Sequence, residues 1–208
     1  MVRVKICGIT NLEDARMVFE AGADAIGFVF YPRSKRYVSP EIARNIARSL
    51  PPFVCKIGVF VNEDPEKIQE IASFVGLCAV QLHGDEDLDT CKRVAEKVPV
   101  IKAIGVKTEE DVKKALTFRE FPVLFDTKSD TRGGSGLVFD WNLLIPYRNL
   151  FDFLILAGGL NPENVSEAIK VLHPNAVDVS SGVESLPGKK DPAAVKLFIK
   201  KAKGTWEG

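Results

Sequence analysis

The sequence predicts an α/β protein, a single-domain (βα)8 TIM barrel with few insertions that takes up residues 1–208. Three observations predict it. Short β-branched runs alternate strictly with longer amphipathic segments, which makes right-handed βαβ units and a parallel sheet. Eight such units are present, the number that closes a barrel. An open doubly wound sheet more often has five or six strands. Finally, 208 residues suit one domain. A domain of this size buries roughly 70% of its unfolded surface and needs no disulfide or metal staple.

The strand runs, in order, are VRVKIC from Val2, AIGFVF from Ala25, KIGVFV from Lys56, AVQLH from Ala79, VIKAIGV from Val100, FPVLFD from Phe121, FLILAGG from Phe153 and AVDVSSG from Ala176. Each is strand-sized. The segments between them carry helix signals. Asn11 precedes LEDARMVFEAG, which stops at Gly22. Proline in the favoured first turn follows a capping residue at Ser39-Pro40, Asp64-Pro65, Asn161-Pro162 and Asp191-Pro192. In EKIQEIASFV, residues Ile68, Ile71, Ala72 and Val75 recur at three- and four-residue spacing, so this helix buries one face. After strand six, KSDTRGGSGLVFDW contains Gly133, Gly134 and Gly136 and reads as a lid over the barrel mouth.

Composition narrows the function. Acidic and basic residues balance at 28 each, without the basic excess of a nucleic-acid binder. MVRVKICGIT has no apolar signal core, and no apolar run approaches the ~20 residues that span a bilayer. The expected partner is therefore a small molecule, not a nucleic acid or a membrane, and the expected location is cytoplasmic. Cys7, Cys55, Cys78 and Cys91 form no CxxC pair, and the chain has two histidines. The expectation is free thiols and no metal site. A monomer or a homodimer is expected, and the sequence does not distinguish the two.

The active site of such a barrel lies at the carboxyl ends of the strands. There the sequence puts Cys7, His83, Asp126, Gly158-Gly159 and Asp178 to Gly182. Gly158 and Gly159 precede a helix, and Ser180, Ser181 and Gly182 follow strand eight. These are the two places where barrels often hold phosphate with loop amides, serine hydroxyls and a helix N-terminus. GVESLPGKK from Gly182 has the wrong spacing for a Walker A loop. Cys7 is a thiol at a strand end, reactive as the thiolate, so a catalytic part requires partial ionisation near neutral pH. Asp126 follows a run of apolar residues, an odd place for a merely solvated charge. Arg36, in the basic stretch YPRSKRYVSP, has the fork to clamp a carboxylate. Lys5 shares the parity of Cys7 and should point inward. A buried ammonium needs a partner, and Asp178 on the strand that closes the barrel is the best one.

The motifs KICGIT, GFVFYPRSKRYVSP, GVFVN, VQLHGDE, FDT, GGSG with FDW, AGGLNPENV and DVSSGVE with GKKD together resemble the phosphoribosylanthranilate isomerase family of tryptophan biosynthesis. The likeness runs from Val4 to about Lys203. It implies an Amadori rearrangement by general acid–base catalysis without a cofactor. It implies Cys7 as base, Asp126 as acid, Arg36 on the substrate carboxylate, and Gly158, Gly159, Ser180, Ser181 and Gly182 on the phosphate. His83 and Asp178 would line the rest of the pocket. Two readings compete: a related histidine-pathway isomerase, expected to carry a carboxylate where Cys7 stands, and a non-catalytic phosphate-binding module.

Overall fold

The structure is a computed structural model that describes residues 1–128 and 138–205. The glycines expected in a lid, Gly133, Gly134 and Gly136, lie outside the described residues. Eight parallel strands close into a barrel in sequence order: β1 (Arg3–Cys7), β2 (Ala25–Val29), β3 (Cys55–Phe60), β4 (Ala79–Leu82), β5 (Val100–Val106), β6 (Val123–Thr127), β7 (Leu154–Leu156) and β8 (Ala176–Val179). Closure is made by β1 on β8, with Lys5 in register with Asp178.

Helices cover the outside: α1 (Leu12–Glu20), α2 (Pro40–Arg48), α3 (Pro65–Val75), α4 (Leu88–Ala95), α5 (Glu109–Ala115), α6 (Val165–Leu172) and α7 (Pro192–Gly204). Four of the five expected caps form; Asn161 does not cap α6, which starts at Val165 after Asn164. The side chains of Asn11, Ser39, Asp64 and Asp191 accept from backbone N–H groups in the first turns of α1, α2, α3 and α7. The sixth crossover departs from the pattern. Trp141–Leu150 is a 3-10 helix with Pro146 inside it, and proline removes a donor that an α-helix would need there. One insertion stands out: a small antiparallel hairpin, β9 (Glu184–Leu186) and β10 (Lys189–Lys190), between β8 and α7. Thr10 Oγ1 donates to the Gly188 carbonyl at 2.7 Å and Lys190 N to Asp14 Oδ2 at 2.9 Å, so the hairpin is pinned to the β1–α1 connection.

Strand parity sorts the side chains into two cores. Val4, Ile6, Ile26, Phe28, Val123, Phe125 and Val177 face the helices. The opposite parity fills the barrel in layers. Ala25, Ile57, Ile101, Ala103, Leu124 and Ile155 form an apolar layer at the amino end. Lys5, Gln81 and Asp178, all buried, form a polar layer above it. Cys7, Val29 and Val59 lie above that. The apolar base gives the polar layer a rigid, dry floor.

Candidate active site

The carboxyl-terminal mouth opens on a cavity bordered by Cys7, Arg36, His83, Asp126, Asp178, Gly158, Gly159, Ser180 and Ser181. Gly182 does not reach its wall. A Cβ there would lie 2.0 Å from the Leu160 carbonyl oxygen, so its part is to let the two loops after β7 and β8 pack together.

Cys7 ends β1 opposite Gly27 of β2. Its thiol is buried, and burial pushes it above the ordinary thiol range. The Lys5 and Lys190 ammonium groups oppose that push, whereas the Asp178 carboxylate adds to it. The expectation of a partly ionised Cys7 is therefore corrected: desolvation outweighs the cations, because the thiolate has no water to stabilise it. Lys5 is paired as the parity argument required, with Nζ donating to Asp178 Oδ2 at 2.9 Å and to Gln81 Oε1 at 2.9 Å. Its own affinity for protons is raised; burial works against the charge, but Asp178 and Cys7 outweigh it. Asp178 Oδ1 is buried on the cavity side of the barrel and has no hydrogen-bond partner among the described residues.

Asp126 sits one residue before the end of β6. Its Oδ1 accepts from Thr127 N at 2.7 Å, and its Oδ2 lies 3.3 Å from His83 Nε2. Gly158, in a left-handed conformation (φ 81°), lets the β7 loop come close. A Cβ there would meet Thr127 N at 2.4 Å and Asp126 Oδ1 at 2.8 Å.

Arg36 is at the cavity, but its fork is already engaged. Nε and Nη2 donate to Glu184 at 2.8 and 2.7 Å. Glu184 also accepts from Lys190 Nζ at 2.7 Å. This leaves the Nη1 edge of Arg36 for a ligand, so the clamp expected from the sequence is narrower than a free guanidinium would give. The Glu184 carboxylate is held low by Arg36 and Lys190 against the cost of burial. That cost pulls Lys190 below the ordinary lysine range even with Glu184 beside it. Sequence reading missed Gln81, Glu184 and Lys190. Gln81 had a signal, since it shares the inward parity of His83 on β4; Glu184 and Lys190 belong to a hairpin whose place over β1 is a long-range matter.

The phosphate loops also differ in detail from expectation. Helix α6 starts at Val165, and the N–H groups of Glu163 and Asn164 already donate to Asn161 Oδ1. The Ser180 hydroxyl donates to the Cys7 carbonyl at 3.1 Å. The turn at Gly158-Gly159, where both residues have positive φ (81° and 66°), and Ser181 remain as the loop backbone bordering the cavity.

The chain matches the family model described as N-(5'-phosphoribosyl)anthranilate (PRA) isomerase over residues 4–201. It is 64% identical over 204 residues to the N-(5'-phosphoribosyl)anthranilate isomerase of Thermotoga maritima, covering 98% of this chain and 100% of that one. A phosphoribosyl anthranilate isomerase crystallised with reduced 1-(o-carboxyphenylamino)-1-deoxyribulose 5-phosphate superimposes with a TM-score of 0.92 at 61% identity, over 98% of this chain and 100% of that one. A structure of monomers generated from the dimeric T. maritima enzyme gives a TM-score of 0.91 at 60% identity, with the same coverage. With identity at this level over nearly the whole chain, and a barrel whose mouth presents a thiol, a carboxylate and two glycine- and serine-rich loops, the chain belongs to the N-(5'-phosphoribosyl)anthranilate isomerase family.

Proposed function

We propose that Cys7 is the general base and Asp126 the general acid for the reaction of this family: the Amadori rearrangement of N-(5'-phosphoribosyl)anthranilate to 1-(2-carboxyphenylamino)-1-deoxyribulose 5-phosphate in tryptophan biosynthesis. The observation that carries it is that Cys7 and Asp126 border one cavity from different sides of the barrel, with the Gly158-Gly159 and Ser180-Ser181 loops on the same wall.

The chemistry asks for these two groups. The ring oxygen leaves poorly as an alkoxide, so Asp126 gives it a proton as the C1–O bond breaks. The anthranilate nitrogen lone pair forms the C1=N bond, and the iminium ion acidifies the C2 proton. Cys7 removes that proton, the C2–H electrons form C1=C2, and the iminium π pair returns to nitrogen. The enolamine then gains a proton at C1 and loses one from the C2 hydroxyl to give the ketone. Isomerisation moves protons without net oxidation, which one acid and one base can accomplish. A thiol raised by burial becomes useful when the adjacent cationic iminium stabilises the thiolate.

The other roles follow from what each group has to offer. The buried Asp178 Oδ1 is an acceptor in want of a donor, which a sugar hydroxyl would supply. The Nη1 edge of Arg36 takes the anthranilate carboxylate. The backbone of the two loops takes the phosphate, with Gly158, Gly159 and Ser181 at the anion and Ser180 and Gly182 shaping the loop. His83 borders both the cavity and Asp126. One domain, residues 1–208, carries the whole reaction. A cytoplasmic location suits four free cysteines, one of which must stay a thiol; among the described residues no helix is long and apolar enough to cross a membrane.

A homodimer through the amino-terminal mouth is favoured over a monomer. That mouth is an apolar cavity of about 520 Å3 walled by residues such as Ala25, Ile57, Ile101 and Ile155. Phe53, 91% exposed, lies two residues before Cys55 on its wall. A protruding aromatic beside an apolar hollow is self-complementary across a two-fold axis, and a relative 60% identical is described as dimeric. Light scattering should give a dimer for the wild type and a monomer for Phe53→Ser; a monomeric wild type overturns the assignment. The enzymatic reading is tested by the loss of anthranilate fluorescence with the phosphoribosyl substrate. Absence of turnover, or turnover of the histidine-pathway aminoaldose alone, overturns it.

A further inference from the structure

The polar layer of the barrel is a chain of side chains with a defined direction. Lys5 Nζ lies 2.9 Å from Gln81 Oε1, Gln81 Nε2 lies 2.8 Å from His83 Nδ1, and His83 Nε2 lies 3.3 Å from Asp126 Oδ2. Gln81 is 1% exposed, so its amide cannot exchange these partners for water. Hydrogen-bond chemistry then sets every link. An ammonium only donates, so the Gln81 atom facing Lys5 must be the carbonyl oxygen. The other end of the amide is therefore the NH2 group, which only donates. His83 Nδ1 must accept, so the neutral ring carries its proton on Nε2, the nitrogen that lies 3.3 Å from Asp126 Oδ2. Asp178, bonded to the other side of the Lys5 ammonium at 2.9 Å, keeps that ammonium charged and in place.

We propose that Lys5 and Gln81 fix the tautomer of His83, and that His83 is thereby a positioning residue that presents a protonated Nε2, not a lone pair, to Asp126. The inference rests on the reading of Asp126 as the general acid. Asp126 Oδ1 accepts from the Thr127 amide at 2.7 Å, and its Oδ2 has the protonated edge of His83 at 3.3 Å. The carboxylate left after proton delivery therefore has two positive N–H dipoles close to it before substrate arrives. The same Lys5 ammonium lies beside Cys7 and opposes the effect of burial on its thiol. One buried cation thus serves the base directly and the acid at a distance through two neutral side chains.

Among the described residues, these charged groups face the chain. On the inner side they are Lys5 of β1, Asp126 of β6 and Asp178 of β8. On the neighbouring face, Lys102 of β5 and Glu86 of the loop after β4 pair with each other at 2.6 Å and sit beside the backbone of Leu82 and Gly84. Lys128 after β6 is paired with Asp111 of α5 at 2.9 Å.

The test is nitrogen NMR of histidine-labelled protein, which is simple because the chain has only His83 and His173. In the wild type, the neutral His83 ring should show a pyridine-like Nδ1 and a pyrrole-like Nε2. Gln81→Met removes the amide with little change in shape, and both nitrogens should move towards a tautomer average. Gln81→Glu presents only acceptors to Nδ1 and should put a proton there. In Gln81→Met and His83→Asn, kcat should fall roughly ten- to a hundredfold with KM nearly unchanged, the range for one hydrogen bond to a charged group. A wild-type ring protonated on Nδ1 alone, or a Gln81→Met spectrum and kcat identical to wild type, overturns the proposal. Failure of the acid assignment would look different: Asp126→Asn would keep its turnover while the tautomer result stood.

Discussion

The two mouths of this barrel are made from the same eight strands and differ in nearly every physical respect. At the amino end, the inward residues are Ala25, Ile57, Ile101, Leu124 and Ile155. At the carboxyl end they are Cys7, His83, Asp126 and Asp178, over a floor of Lys5 and Gln81. Each end also holds a cysteine. Burial and the neighbouring Cys78 thiol push Cys55 up to about 12, against the opposing effect of Lys56 and Lys5. Cys7 is raised by burial too, but Lys5 and Lys190 stand against the rise. A mouth built for stability can place its polar groups anywhere else. A mouth built for chemistry must bury charges, and each buried charge requires a partner. The carboxyl end accordingly contains linked ionic groups, Lys5 with Asp178 and Arg36 with Glu184 and Lys190.

That contrast can be broken by substitution. The largest effects on turnover belong to Cys7→Ser and Asp126→Asn. Each should lower kcat by about two to four orders of magnitude or more, the scale of one general acid or base, with KM largely kept. Steady-state kinetics decides it, and near-normal turnover in either variant would move the chemistry elsewhere. Arg36→Met should raise KM on the order of ten- to a hundredfold, the worth of a charge-assisted bond to a carboxylate, and lower kcat less. A collapse of kcat at constant KM would mean that Arg36 acts on the reacting atoms instead.

Proton affinity sharpens the comparison. Because Cys7 is raised above the ordinary thiol range, its thiolate fraction in the free enzyme should keep growing as pH rises through that range. The rate of Cys7 alkylation in the free enzyme, followed residue by residue by mass spectrometry, tracks the thiolate and should therefore climb by up to about tenfold per pH unit instead of levelling off near the usual thiol value. A plateau already at neutral pH would show that the two lysines outweigh burial. The smallest effect on turnover should come from the other mouth. Leu124 is fully buried in the amino-end layer. Leu124→Ala should cost about 2–5 kcal/mol of stability by denaturant unfolding, while kcat at 25 °C stays close to wild type. A large fall in kcat in a folded variant would mean that the two ends are coupled.

Much of the active end was legible in the chain. Parity along β1 placed both Lys5 and Cys7 inside, and the break from apolar residues to Asp126 in FPVLFD marked a strand end at the mouth. Gly158-Gly159 and Ser180-Ser181 were readable because turns need such residues. The direction of the shift in Cys7 was not, since it depends on how much water the folded barrel excludes. Nor was the state of Arg36. Its fork is filled by a residue 148 positions away, on a hairpin in the segment that the sequence shows only not to be a Walker A loop.

The sequence by itself determined the eight strands, their inward and outward faces and most helix starts. These depend on periodicity and on caps within three or four residues, which are local physics. Only the tertiary structure decided which charges meet. Lys5 and Asp178 are 173 residues apart and Lys5 and Gln81 are 76 apart. Their contact exists because β1 closes on β8 in one register and because Gln81 points into the same layer of the barrel. Register is set by the packing of the whole ring of strands, and a slip of one residue would turn every inward side chain outward.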